Sequence, residues 1–167
     1  MMKLLFRKRG IAKVVKRLAR EIEEDYRGQD LILIGIQKGS FIFLADLVRQ
    51  IRLTPEIDFI EVSSYSGVSQ GKVTIRECVL SVKGKHVLIV EDIVDTGRTA
   101  LGVVQYFREK GAASVKLCTL LDKPSRRKVD VVIDYLGFTV PDRFVVGYGL
   151  DYNEKYRNLP EIFALGE

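Results

Sequence analysis

Apolar residues at Ile11, Val14, Val15, Leu18 and Ile22 recur at three- and four-residue intervals. That spacing predicts an amphipathic helix, with Lys13, Lys16, Arg17 and Arg20 mostly on its opposite face. Gly28 closes this region. Leu31–Ile36 (LILIGI) is apolar without alternation, as expected of a strand buried on both faces. Gln37-Lys38-Gly39-Ser40 then leads into a second helix, striped by Phe41, Leu44, Ala45, Val48 and Ile51. IDFIEVSSY reads as a strand and Ser66–Lys72 (SGVSQGK) as a mobile loop of small polar residues. VTIRECVLSV reads as the returning strand of a long hairpin. His86–Val90 (HVLIV) is the next buried strand, and Ala100, Val103, Val104 and Phe107 stripe a third helix that ends at Gly111. SVKLCTLL is a further strand. After Lys123 the pattern loosens into short strands and turns, expected to form a small subdomain. The alternation of strand and helix predicts an α/β fold: an open, mostly parallel sheet with helices on both faces.

The chain of 167 residues is long enough for one domain with a real core. Its 27 bases against 22 acids give a formal charge of +5, which suits an anionic partner: nucleic acid, a membrane surface or a phosphorylated metabolite. The bases of the first helix have no aromatics between them, so a solvated face is preferred there to a nucleic-acid surface. The SRRK run (Ser125–Lys128) is read in the same way, as a solvated turn. Cys78 and Cys118 offer neither a metal-ligand spacing nor a disulfide framework and are read as small buried apolar groups. The apolar run in MMKLLFRKRG is too short for a signal peptide or a membrane span, so a cytoplasmic protein is expected. His86, the one histidine, precedes a strand and is given no catalytic role.

The chemistry concentrates in VLIVEDIVDTGRTA, Val87–Ala100. An apolar strand is followed at once by Glu91 and Asp92, placing both acids at the carboxyl edge where parallel sheets bind ligands. Asp95, Thr96, Gly97, Arg98 and Thr99 then cross to a helix N-terminus. Free backbone N–H groups, a glycine and two threonine hydroxyls there could hold a phosphate. The string matches neither G-x-x-x-x-G-K-[ST] nor G-x-G-x-x-G. Asp-Thr-Gly alone would be read equally well as a capped helix after a strand.

The whole string is more specific: it resembles the phosphoribosyl-pyrophosphate signature of the type I phosphoribosyltransferases. The likeness extends along nearly the entire chain and is strongest to the hypoxanthine(-guanine) members of that family. IGIQKGS resembles their pyrophosphate loop and FIEVSSYSG the start of their mobile catalytic loop. LLDK, with PDRFVVGYGLDYNEKYRNLPEI, resembles their purine-binding end. The resemblance implies a single domain, residues 1–167, built as an open, mostly parallel twisted sheet flanked by helices. A small base-binding hood would come from the N- and C-terminal segments.

The resemblance also implies roles. Residues 95–99 would hold the 5′-phosphate, and Glu91 and Asp92 would face the ribose hydroxyls. Asp95 would be the general base beside purine N7. Lys123 would donate to the exocyclic oxygen at C6, Phe144 would stack on the purine, and Val145 backbone groups would read the ring edge. Lys38, Gly39 and Arg157 would bind pyrophosphate, and the Gln37–Lys38 peptide is often cis in that family. Ser64 and Tyr65 would lie on the loop that closes over the reacting centre. Asp151 would sit at the purine end and, with Glu91 and Asp92, meet a metal, Mg²⁺. Substrates would be phosphoribosyl pyrophosphate and a 6-oxopurine, with no nucleic acid or membrane partner, and the assembly a homodimer or homotetramer. Read on its bare residues, Lys123 is a surface lysine before a turn and Phe144 a core strand residue. Two other functions stay open: a nucleotide-responsive RNA-binding regulator on the same fold, and a phosphoribosyltransferase preferring xanthine. Adenine ranks lower, because it presents a donor at C6 where Lys123 needs an acceptor.

Overall fold

The computed structural model describes residues 1–64, 73–76 and 78–166. Tyr65 and the predicted loop at 66–72 lie outside the described residues.

The elements in chain order are β1 (Met2–Phe6), α1 (Lys8–Asp25), β2 (Leu31–Gln37), α2 (Phe41–Gln50), β3 (Glu56–Ser64), β4 (Val73–Ile75), β5 (His86–Val94), α3 (Arg98–Glu109), β6 (Ser114–Asp122), a 3₁₀ turn (Pro124–Arg126), β7 (Tyr135–Thr139), β8 (Val145–Val146) and β9 (Ile162–Leu165). The main sheet has the order β4-β3-β2-β5-β6-β7, and every pairing is parallel except β3 with β4. This is the α/β architecture expected from the hydrophobic pattern. Alternate residues of each central strand enter opposite cores. Leu31, Leu33, Leu88 and Val90 pack with α1 and α2, whereas Ile32, Ile34, Val87 and Ile89 pack with α3. Burial on both faces is why these strands read as unbroken apolar runs. A second, antiparallel sheet of three strands, β1-β9-β8, joins the two ends of the chain.

Several boundaries differ from the sequence reading. β5 does not stop at Val90 but runs to Val94, because β6 continues to pair with it as far as Val94↔Asp122. Glu91 and Asp92 are therefore strand residues. VTIRECVLSV supplies only Val73–Ile75 to a strand. Beyond it Asp58 gathers the chain, accepting hydrogen bonds from the N–H groups of Val79 (2.8 Å) and Leu80 (3.0 Å) and from Cys78 Sγ (2.9 Å). Cys78 is thus half-buried and polar in its contacts, whereas Cys118 is the buried apolar group expected. Tyr135–Thr139 belongs to the main sheet as β7 and not to a separate subdomain, its phenol buried against Asp25 and Lys116. No helix among the described residues is long and apolar enough to cross a membrane.

Candidate active site

The carboxyl ends of β2 and β5 carry the loops that the sequence marked. Gly97 begins α3 with φ +84°, and a Cβ there would lie 2.9 Å from both Arg127 Cδ and the Val129 carbonyl, so only glycine fits. Segment 126–129 braces this loop from outside. Thr96 O accepts from the N–H groups of Lys128 (2.9 Å) and Val129 (3.3 Å). Arg127 Nε donates to Asp95 O (3.2 Å) while its Nη2 pairs with Asp122. Arg126 Nε lies 3.2 Å from Asp95 Oδ1. Ser125, Arg126 and Lys128 of the SRRK run are exposed, as expected of a solvated turn, but the run also contacts the loop. Two of its cations contact the loop, and Asp95, which both meet, lies too far away in sequence for local pattern to reveal it.

Two cavities meet at Asp95. The first, about 130 Å³, is lined by Glu91, Asp95, Thr96, Gly97 and Thr99 at the N-terminus of α3. The second, about 180 Å³, is lined by Asp92, Lys123, Phe144, Val145 and Asp151. Ile93 and Asp95 line both. Of the two consecutive acids of β5, Glu91 lines the first and Asp92 the second. Arg98 is exposed and lines neither cavity, so its contribution at this loop is confined to the backbone. Asp95 Oδ1 is buried with no hydrogen bond among the described residues, because Arg126 is close but not aligned to donate. Lys123 is only 6% exposed and pairs with no carboxylate among the described residues. That is the opposite of the surface position its bare sequence context suggested. Phe144 is 54% exposed, so it is not the core residue that FVVGY alone indicated, whereas Val145 is buried.

Burial pushes the Glu91 carboxyl well above the ordinary glutamate range, and the neighbouring Asp92 charge adds to the rise. Burial also raises Asp92, partly offset by hydrogen bonding with Glu91 and by the positive charge of Arg157. Gly39 lies directly against Asp92, and a Cβ at Gly39 would overlap the Asp92 carboxylate. The Gln37–Lys38 peptide is cis.

Beside Gly39 is a charged cluster from the C-terminal segment. Arg157 donates to the Gly149 carbonyl (2.8 Å) and pairs with Asp151 Oδ1 (3.1 Å). Glu154, which the sequence reading missed, pairs with Lys38 Nζ (3.0 Å) and Arg157 (3.4 Å). It belongs to a tight hairpin in which Tyr152 and Lys155 exchange backbone hydrogen bonds, both 3.1 Å. Asn153 and Glu154 between them have φ +52° and +61°, the type I′ turn that asparagine favours at its first central position. The Tyr-Asn-Glu-Lys run was the available signal. Ser64 ends β3, and its proposed loop partner Tyr65 lies outside the described residues.

Among the described residues no three histidine, cysteine or carboxylate groups converge to hold a metal. Glu91, Asp92 and Asp151 therefore do not form a protein-only metal site. Asp151 is occupied by Arg157 and by the Glu154 N–H, 2.9 Å from its Oδ2.

The phosphoribosyl transferase domain model matches residues 2–153. A hypoxanthine-guanine phosphoribosyltransferase of Streptococcus pneumoniae (strain ATCC BAA-255 / R6) is 51% identical over 160 residues, covering 94% of this chain and 89% of that protein. One of Bacillus subtilis (strain 168) is 49% identical over 166 residues, covering 98% and 92% respectively. Among solved structures, a hypoxanthine phosphoribosyltransferase of Staphylococcus aureus superposes with TM-score 0.95 at 43% identity, covering 98% of this chain and 91% of its own. A hypoxanthine-guanine phosphoribosyltransferase of Bacillus anthracis, with a HEPES molecule in its active site, gives TM-score 0.94 at 44% identity and covers 98% of both chains.

Proposed function

The chain belongs to the phosphoribosyl transferase family, and on that premise we propose that it is a purine-salvage enzyme. It transfers ribose 5-phosphate from phosphoribosyl pyrophosphate to N9 of a 6-oxopurine, hypoxanthine and guanine, and releases pyrophosphate. The observation that carries this reading is the position of Asp95, shared by a cavity at a helix N-terminus and a cavity walled by Lys123 and Phe144. A nucleotide has those two ends. Nothing in the comparisons favours an RNA-binding regulator or a xanthine preference.

The residue roles follow from this placement. The 5′-phosphate sits in the first cavity, on the N–H groups that open α3 and the hydroxyls of Thr96 and Thr99. The purine enters the second, flat against Phe144. The ammonium of Lys123, whose side chain lines this cavity, donates to the oxygen at C6, and Val145 backbone groups meet the ring edge. Glu91 and Asp92 flank the ribose between the two ends. Lys38, Gly39 and Arg157 receive the pyrophosphate, Arg157 through its planar fork of donors. Leaving-group departure runs ahead of attack, and positioning and nearby anions stabilise the positive ribose without a covalent intermediate. Asp95, which lines both cavities, takes the N7 proton as N9 attacks.

Mg²⁺ suits the donor set as a substrate-borne ion, since it binds through one or two carboxylates plus phosphate oxygens. Asp92 and Asp151, which line one cavity, would hold it, and it would supply charge neutralisation of the departing pyrophosphate. Burial, which raises both strand acids, is the observation that fits. The three-stranded sheet serves as the base-binding hood of the single domain. We place the enzyme in the cytoplasm, as a homodimer or homotetramer. The net charge of +5 favours the approach of a polyanionic sugar donor.

The test is product formation from hypoxanthine, guanine and xanthine separately, each with phosphoribosyl pyrophosphate and magnesium. Nucleotide formation from hypoxanthine and guanine is expected; no turnover with any of the three would overturn the reading.

A further inference from the structure

Phe144 hangs between two open spaces. It lines the cavity with Lys123 and also a cleft of about 1040 Å³ that Tyr152 and Tyr156 line. Its backbone is held, because Leu165 N–H donates to its carbonyl (2.8 Å), but its ring is 54% exposed. Its ring contact among the described residues is Tyr152, at a centroid distance of 5.4 Å and an interplanar angle of 83°. That is the edge-to-face geometry in which aromatic pairs attract.

Tyr152 is itself fixed. Its backbone exchanges two hydrogen bonds with Lys155 across the type I′ turn, and the preceding Asp151 is tied to Glu154 N–H and to Arg157. We propose that Tyr152 is a positioning residue for the purine: its ring limits the rotamers of Phe144, so that a flat face stands ready before the base arrives. Without that brace, binding must also order a free aromatic side chain. The inference rests on the base-stacking reading of Phe144. The tyrosine hydroxyl has no part in it, and Tyr152 does not touch the reacting atoms.

Steady-state kinetics of four variants test this. Tyr152→Ala is expected to raise the KM for hypoxanthine about three- to tenfold, the range of an edge-to-face pair. Its kcat and its KM for phosphoribosyl pyrophosphate should stay within twofold of wild type. Tyr152→Phe should restore wild-type values. Phe144→Ala should raise the purine KM, and adding Tyr152→Ala to it should change little. An unchanged purine KM in Tyr152→Ala, with Phe144→Ala impaired, overturns the positioning role alone. An unchanged purine KM in Phe144→Ala overturns the stacking reading beneath it. Failure of Tyr152→Phe to restore binding would place the effect in the hydroxyl and also refute the proposal.

Discussion

Gly39→Ala tests whether the site is as tightly built as its contacts indicate. The added methyl would overlap Asp92 Oδ2, a clash far inside van der Waals contact. The loop cannot retreat from it. On one side Ser40 is fully buried, its Oγ donating to the Ile36 carbonyl (2.6 Å), and α2 begins at the next residue. On the other side the Gly39 carbonyl already abuts Gly149, where a Cβ would overlap it. The Asp92 carboxylate must therefore swing away by about 1 Å or more, or the two loops must part by as much. A displacement of that size at a reacting centre costs on the order of 10²-fold in rate, and overpacking of this kind costs about 1–3 kcal/mol of stability. The expected result is a kcat/KM for phosphoribosyl pyrophosphate lowered about 100-fold, in a protein that still unfolds cooperatively. Initial rates with the sugar donor varied, alongside a thermal melt, measure both. A variant that keeps kcat/KM within about threefold of wild type would show that Asp92 and Gly39 need not be in register, and the reasoning would fail.

Asp95→Asn should lower kcat about 10²- to 10⁴-fold with an unchanged melt; near-normal turnover would remove the base from this position. Lys123→Ala should raise the KM for hypoxanthine far more than that for phosphoribosyl pyrophosphate, and equal losses would take Lys123 out of the purine cavity. Asp58 supplies a pH test. Burial works to raise its pKa, but the hydrogen bonds from Cys78, Leu80, Phe59 and Val79 together hold it below the usual aspartate value. Its stabilisation is therefore complete above the ordinary aspartate pKa and is lost as pH falls through the folded value. Asp58→Asn should cost about 1 kcal/mol near neutral pH, discounted for its partial exposure. The gap to wild type should shrink below about pH 4. Parallel melts from pH 3 to pH 7 would show it, and a gap that widened in acid would refute the assignment.

The central layers of the fold were legible because β2, β5 and β6 are buried on both faces and the helices carry clean stripes. What escaped was decided by distant partners. β1 reads as a short basic-flanked run until β9 pairs with it, and Arg127 looks solvated until Asp95 is placed beside it. The acids of β5 were found by composition, but their split between two cavities depends on the strand continuing past Val90. Glu154 was overlooked because a lone glutamate in a polar turn has no pattern of its own, and only the approach of Lys38 gives it a role.

The pairing of β1 with β9 bears on biosynthesis. Met2 meets Leu165 and Phe6 meets Ile162, and β9 in turn carries Val145 and Val146. A nascent polypeptide emerging from the ribosome can assemble the helix-bounded loop at 95–99 long before its last strand appears. On the proposed assignment of the three-stranded sheet as base-binding hood, the wall behind the base waits for that strand. Proteolytic clipping near residue 160 should accordingly leave a species that grips the sugar donor yet no longer discriminates among bases, a separation of the two halves of recognition by the order of synthesis.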